Sequence, residues 1–258
     1  MQKTITASEM PNRSERTPSG IKGLDELVGG GLPKGRVILL TGEPGSGKTI
    51  FGTQYLVNGI KEYDETGLLV CMEEIKSHLY SEMKLFGWDL AKFEEAGKLA
   101  FVDATPLRLL PEKVKVGEVA IARRDFSMVT LIQAINKEVE RINPARIVVD
   151  PITSLIIQYP DDVARRGAIL ELIGALVSCS ATCLITSELK NFGRKRRVEM
   201  EEFLAHGVVV LQNLLVRGSM IRAIQVEKMR ETNCDNQPRI YRINSGGIEV
   251  FPKESVFK

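Results

Sequence analysis

The sequence predicts an α/β fold with a mainly parallel central sheet, helices on both faces and an antiparallel extension at the C-terminus. Three patterns predict it. Short apolar runs alternate with helical-period segments through most of the chain, as in βαβ units whose strands are buried on both faces. A glycine-rich turn joins the first buried strand to the first long helix. The last fifth holds successive strands with only turns between them, as hairpins do.

Residues 1–17 are polar and read as a flexible tail, followed by one domain over 18–258, since 258 residues fill one large core and leave little for a second. Residues 23–28 suggest a short helix ending in Gly29-Gly30-Gly31, and Pro33-Lys34-Gly35 turns the chain. Residues 36–40 form a buried strand, and 50–60 a helix with Phe51, Leu56 and Ile60 near one face. A strand at 68–72, a helix at 76–86 and a turn lead through 89–95 to Gly97 and a strand at 99–102. Residues 106–124 resist assignment. Apolar residues at 128, 131, 132, 135, 139 and 142 have helical spacing, and Asn143-Pro144 ends that helix. A strand at 147–149 ends in Asp150, a helix follows at 164–177, and a strand at 182–186. Strands at 208–211, 221–226, 240–243 and 248–251 complete the chain, with turns at Arg217-Gly218-Ser219 and Ser245-Gly246-Gly247.

Composition narrows the function classes. Hydrophobic residues make up 43% and charged residues 26%, as in globular proteins rather than disordered ones. With 35 basic and 33 acidic residues the net charge is +2, so any nucleic-acid or membrane partner must be recognised locally. No apolar run approaches the roughly 20 residues that a membrane helix needs. The N-terminal stretch lacks the apolar segment of a secretory signal. Cys71, Cys179, Cys183 and Cys234 lack metal-site spacing, and His78 and His206 do not complete one. They read as reduced, mostly buried thiols of a cytoplasmic protein.

The strongest motif is Gly42-Glu43-Pro44-Gly45-Ser46-Gly47-Lys48-Thr49, a full match to G-x-x-x-x-G-K-[ST] between a buried strand and an apolar helix. Such a loop wraps a polyphosphate with bare backbone N–H groups, and the helix tip adds partial positive charge. Lys48 can then reach the β- and γ-phosphates of ATP, and the Thr49 hydroxyl can ligate Mg2+. Asp150, after the apolar run Ile147-Val148-Val149, falls at the carboxyl edge of the sheet, where it can hold a metal-bound water. Glu73-Glu74 also follow an apolar strand. One could act as general base toward water, or the pair could simply open the next helix. Thr186-Ser187-Glu188 could sense a γ-phosphate or merely end a strand. Arg194-Lys195-Arg196-Arg197, with Phe192 nearby, could bind single-stranded DNA, or could be a solvated loop balanced by Glu199, Glu201 and Glu202.

With these residues in hand, the chain resembles the KaiC-type proteins of the RecA superfamily. The resemblance runs from Thr17 onward through residues 20–25, the Gly-Gly-Gly-Leu-Pro segment at 29–33, the phosphate loop, Glu73-Glu74, residues 86–90 and 97–99, Asp150, residues 201–203 and Lys228-Met229-Arg230. Only one copy is present, so it is more similar to the single-domain archaeal KaiC-like proteins, also described as RadA paralogues, than to the two-domain cyanobacterial clock proteins. The resemblance implies a RecA-like P-loop fold and a homo-oligomeric ring, usually hexameric, with ATP at subunit interfaces. It implies that Glu73 and Glu74 are catalytic with Lys48, and that Lys228 and Arg230 reach a neighbour's phosphates. It assigns nucleotide contacts to 43–50, Ile50 included, and to Lys228, Met229, Arg230 and Thr232, with the metal at Thr49 and Asp150.

The family's Lys-x-Arg-Gly-Thr-x-His reads here Lys228 to Cys234, with Glu231 for glycine and Cys234 for histidine. His206 stands where many relatives carry an aspartate. Glu202 and Phe203 fall at the clock protein's phosphoacceptor pair, so self-phosphorylation by that route is not expected. The expected activity is slow ATP hydrolysis that switches a conformation read by a partner protein. The competing readings are an ATP-dependent single-stranded-DNA modulator of recombination and an autokinase.

Overall fold

The computed structural model describes residues 15–105, 113–116, 119–189 and 198–256. Among them, nine strands form one sheet in the order β13-β12-β11-β10-β3-β9-β8-β4-β5. The strands β3 (Val37–Gly42), β4 (Gly67–Cys71), β5 (Leu99–Asp103), β8 (Arg146–Asp150), β9 (Thr182–Glu188) and β10 (Gly207–Val216) run parallel. The strands β11 (Ser219–Met229), β12 (Arg239–Asn244) and β13 (Gly247–Ser255) extend the sheet antiparallel from β10. The predicted mainly parallel sheet with an antiparallel C-terminal extension is therefore observed.

Strand alternation sends successive side chains to two cores. Ile38, Leu40, Leu69, Val148 and Leu184 face the core covered by α1 (Leu24–Leu27), α2 (Lys48–Tyr63), α3 (Lys76–Lys84) and α4 (Leu90–Glu95). Val37, Leu39, Leu68, Val70, Ile147 and Ile185 face the other, covered by α5 (Arg123–Ile142), α6 (Thr153–Ile156) and α7 (Asp162–Ser178). Burial on both faces is why these strands lack polar alternation.

The chain leaves β3 through α2 and re-enters the sheet at β4, beyond β9 and β8. Such a reversal opens a crevice at the carboxyl ends of the strands, where open α/β sheets bind ligands. Gly42, Cys71, Asp150 and Glu188 all end their strands at this edge.

Several elements differ from the sequence reading. Order includes β1 (Arg16–Thr17), which pairs with β2 (Leu32–Pro33) inside the stretch expected as tail. The unassigned stretch contains an antiparallel hairpin of β6 (Lys113–Val116) and β7 (Val119–Ala122). The strands β10 and β11 run to ten and eleven residues because their pairing continues past the apolar segment into half-exposed residues. Two short helices, α6 and α8 (Met200–Leu204), are too brief to display a period.

Candidate functional site

The phosphate loop spans the end of β3 and the start of α2. A turn closes it, with the Ser46 N–H donating to the Glu43 carbonyl at 3.1 Å. Gly47 precedes the helix at φ +92°, a conformation costly for any residue with a Cβ. The strands β10, β12 and β13 brace the loop. The Tyr241 hydroxyl donates to the Ser46 carbonyl at 2.6 Å, and Asn213 Nδ2 donates to Glu43 Oε2 at 3.1 Å. Gln54 on α2 exchanges two hydrogen bonds with the Ile248 main chain, at 3.0 and 2.6 Å. Neither Tyr241 nor Asn213 carries a local motif, so sequence reading missed both.

At the helix tip, Thr49 Oγ1 donates to Asp150 Oδ2 at 2.7 Å. Thr186 Oγ1 donates to the other oxygen, Asp150 Oδ1. Asp150 is only 7% exposed, and burial raises its pKa above the usual carboxylate range against the pull of the Thr186 and Thr49 hydroxyls and of Lys48. The Lys48 ammonium turns back onto the carbonyls of Gly42 at 3.0 Å and Glu43 at 3.2 Å. Burial lowers its pKa, opposed by Asp150, Glu188 and Glu73.

Glu73, Glu74 and Glu188 line the same cleft as Lys48, Thr49 and Asp150, about 100 Å³ in volume. Glu73 Oε1 accepts from the Ser154 hydroxyl on α6. The Glu74 carboxyl is pushed up by burial first, then by Glu82, Asp150 and Glu73, and its Oε2 is buried without a hydrogen-bond partner. Thus the residues predicted from the loop, from the end of β8 and from the end of β4 converge. Ser154 was not foreseen.

Lys228, Met229, Arg230 and Thr232 are not brought to this cleft. Lys228 pairs with Val208, which pairs with Leu39, upstream of the loop. Glu231 forms an ion pair with Arg36 at 2.8 Å, roughly 20 Å before Gly42 along β3. Glu231 has φ +60°, the left-handed conformation that a glycine would adopt freely. Its carboxylate partner Arg36 and its carbonyl, which accepts from Arg16 Nη2 at 2.6 Å, accompany that conformation. Thr232 Oγ1 accepts from Arg16 Nη1 at 2.5 Å. His206 Nδ1 accepts from the Val37 N–H at 3.2 Å, and burial, then Arg36 and Arg230, lower its pKa. Glu202 is 4% exposed within the capping box of α8.

The profile of a family described as "ATPase: KaiC" matches residues 17–255. The chain belongs to the KaiC ATPase family. It is 35% identical over 233 residues to the circadian clock oscillator protein KaiC of Synechococcus elongatus, covering 90% of this chain and 43% of that protein. It is 34% identical over 244 residues to the circadian clock protein KaiC3 of a Synechocystis species, covering 94% and 46%. The chain thus spans less than half the length of these curated relatives. A crystal structure of a KaiC-like protein from the archaeon Pyrococcus horikoshii OT3 superposes with a TM-score of 0.78 at 34% identity, covering 93% of this chain and all of that one. The fold observed here is therefore the KaiC fold.

The predicted basic loop, Arg194, Lys195, Arg196 and Arg197, lies outside the described residues. Among the described residues no helix is long and apolar enough to cross a membrane. All four cysteines are free thiols, with Cys71 and Cys183 buried.

Proposed function

We propose that this KaiC-family chain binds ATP with Mg2+ on the loop 42–49 and hydrolyses it slowly as a regulatory ATPase of the cytoplasm. The carrying observation is the Thr49–Asp150–Thr186 hydrogen-bond set beside Lys48, with Glu73 and Glu74 facing it across one cleft. A buried carboxylate and a hydroxyl at a helix tip are hard oxygen donors, which suit Mg2+. Thr49 and Asp150 would hold the ion, Asp150 through a bound water. When bound, Mg2+ supplies charge neutralisation on the β- and γ-phosphate oxygens.

The remaining work falls to the chain. The backbone N–H groups of 45–49 cradle the phosphates, and the start of α2 offers them its positive end. The Lys48 ammonium moves from the loop carbonyls to the phosphate oxygens. Glu74, whose pKa burial raises, suits the acceptance of a proton from water, while Ser154 restrains Glu73.

The cleft supports a site completed by a second copy. Its volume of about 100 Å³ is well below the several hundred Å³ of an ordinary small-molecule pocket, so most of a nucleotide would lie at open surface. Lys228 and Arg230 lie too far along the sheet to serve their own loop. In a ring, hexameric as the resemblance implies, they reach the neighbour's phosphates and supply positive charge where it develops. Conformational change on turnover would be read by a partner protein.

Light scattering with and without ATP and Mg2+, with turnover measured on the same sample, tests the reading. Assembly with nucleotide and turnover lost in Lys48→Ala support it. No turnover at any protein concentration rejects it. No observation on the described residues favours single-stranded-DNA binding, and Glu202 and Phe203 carry no hydroxyl for an autokinase to phosphorylate.

A further inference from the structure

The Lys228 ammonium donates to three main-chain carbonyls, those of Glu202 at 3.1 Å, Phe203 at 3.0 Å and Ala205 at 2.7 Å. An ammonium has three hydrogens, so this set engages all of them. The carbonyls belong to the C-terminal end of α8, the end that attracts cations. Burial, then the neighbouring Arg230, lowers the Lys228 pKa.

The other side of α8 is tied to the nucleotide cleft. Glu201 is 2% exposed, and its Oε1 accepts from the Ser187 hydroxyl at 2.8 Å. Ser187 Oγ lies 3.5 Å from Thr153 Oγ1, which accepts from the Glu188 N–H at 3.0 Å. Ser187 sits between Thr186, which holds Asp150, and Glu188, which lines the cleft. Glu201 and the Glu202 and Phe203 carbonyls belong to the same five-residue helix, whose start is closed by reciprocal Glu199–Glu202 bonds, so a shift of Glu201 moves its immediate neighbours.

We propose that Glu201 is a positioning residue for Lys228. Through α8 it couples the end of β9, beside a copy's own γ-phosphate, to the three carbonyls that fix where this copy's Lys228 charge stands relative to the next copy's nucleotide. The proposal rests on the reading of Lys228 as an interface cation. Its consequence is directional regulation: the nucleotide state of one copy sets how fast its neighbour hydrolyses.

The test uses the full chain at ring-forming concentration with saturating ATP and Mg2+, reading kcat, KM and Tm. Ser187→Ala removes the hydroxyl that Glu201 accepts from, and is expected to lower kcat by up to roughly tenfold, the worth of one net hydrogen bond, with KM unchanged. Ser187→Thr, which keeps the hydroxyl, restores kcat. Thr153→Val acts on the same chain of contacts and is expected to behave as Ser187→Ala does, so the test survives if either variant folds poorly. Combined with Lys228→Ala, neither is expected to cause further loss. Losses that multiply in the double variants, or a change in KM with kcat intact, overturn the proposal alone. Lys228→Ala turning over at the wild-type rate overturns the interface reading together with it.

Discussion

Thr49 on α2 and Asp150 at the end of β8 meet through a hydroxyl-to-carboxylate hydrogen bond of 2.7 Å. The two residues are 101 positions apart, and the sheet order brings them together by placing β8 beside β9, next to β3. The pair holds a buried carboxyl at a helix tip that would otherwise stay in water. Removing either partner should therefore act on metal-dependent turnover more than on the fold. Thr49→Ala is expected to lose roughly 100-fold in kcat, and Thr49→Ser to retain most of it. Equal rates for Thr49→Ala and wild type across a Mg2+ titration would contradict the assignment.

Asp150 also sets a pH dependence. Burial raises its folded pKa above the unfolded value near 4. Its contribution to stability is then fully present below the unfolded value and is lost as pH rises through the folded one. The nucleotide-free protein should lose Tm over that window, and Asp150→Asn should lose less and melt higher above it. Glu74 is shifted in the same direction, so some slope remains in the variant. Thermal melts from pH 4 to 8 measure this, and parallel curves for the two proteins would rule it out.

The two glutamates of the cleft should separate binding from chemistry. Glu73→Gln and Glu74→Gln are expected to retain ATP affinity and lose about 10²–10⁴-fold in kcat. Lys48→Ala should abolish the heat of nucleotide binding. Calorimetry and turnover on the same preparations distinguish the outcomes, and full activity in both glutamine variants would move the base elsewhere.

Subunit mixing tests the division of the site. Lys48→Ala copies have an intact Lys228 and Arg230 but a disabled loop. Lys228→Ala/Arg230→Ala copies have the reverse. Each alone should be nearly inactive, and mixed rings should turn over faster than the sum of the two. No recovery on mixing, with mixed assemblies confirmed by sizing, would place the cations' role within one copy.

Gly47 makes a structural prediction. Its φ is +92°, and an added Cβ would lie 2.8 Å from Ile243 Cδ1. Gly47→Ala should cost about 1–2 kcal/mol from the backbone conformation alone and displace the loop's amides from a phosphate. Ile243→Ala in the same chain would relieve the contact but not the backbone cost. Denaturant unfolding and ATP titration of the two variants check this, and a Gly47→Ala protein of unchanged stability would refute it.

The parts legible in the sequence are those whose signal is local. The phosphate loop is eight contiguous residues, and the apolar runs ending in Asp150 and in Glu73 announce strands that open onto one edge. Thr186 was visible as a polar strand end, but its bond to Asp150 depends on β9 lying beside β8. Tyr241 and Asn213 were invisible because each supports the loop from far along the chain. Lys228 and Arg230 were ordinary strand-end charges until the resemblance gave them a role. Their placement beside α8 and His206 follows from the β10–β11 pairing, which no spacing encodes. Glu231 looked like a departure in the motif, and the structure gives it a left-handed turn and an arginine partner.

The distance along β3 between Arg36, which anchors the Glu231 turn, and Gly42, which opens the loop, has a consequence for abundance. On the proposed division of the site, a solitary copy would hold fuel yet lack the means to burn it. Specific activity should then climb with concentration and level off once every copy has a neighbour, which would make the protein a gauge of its own supply: idle when scarce, running when plentiful.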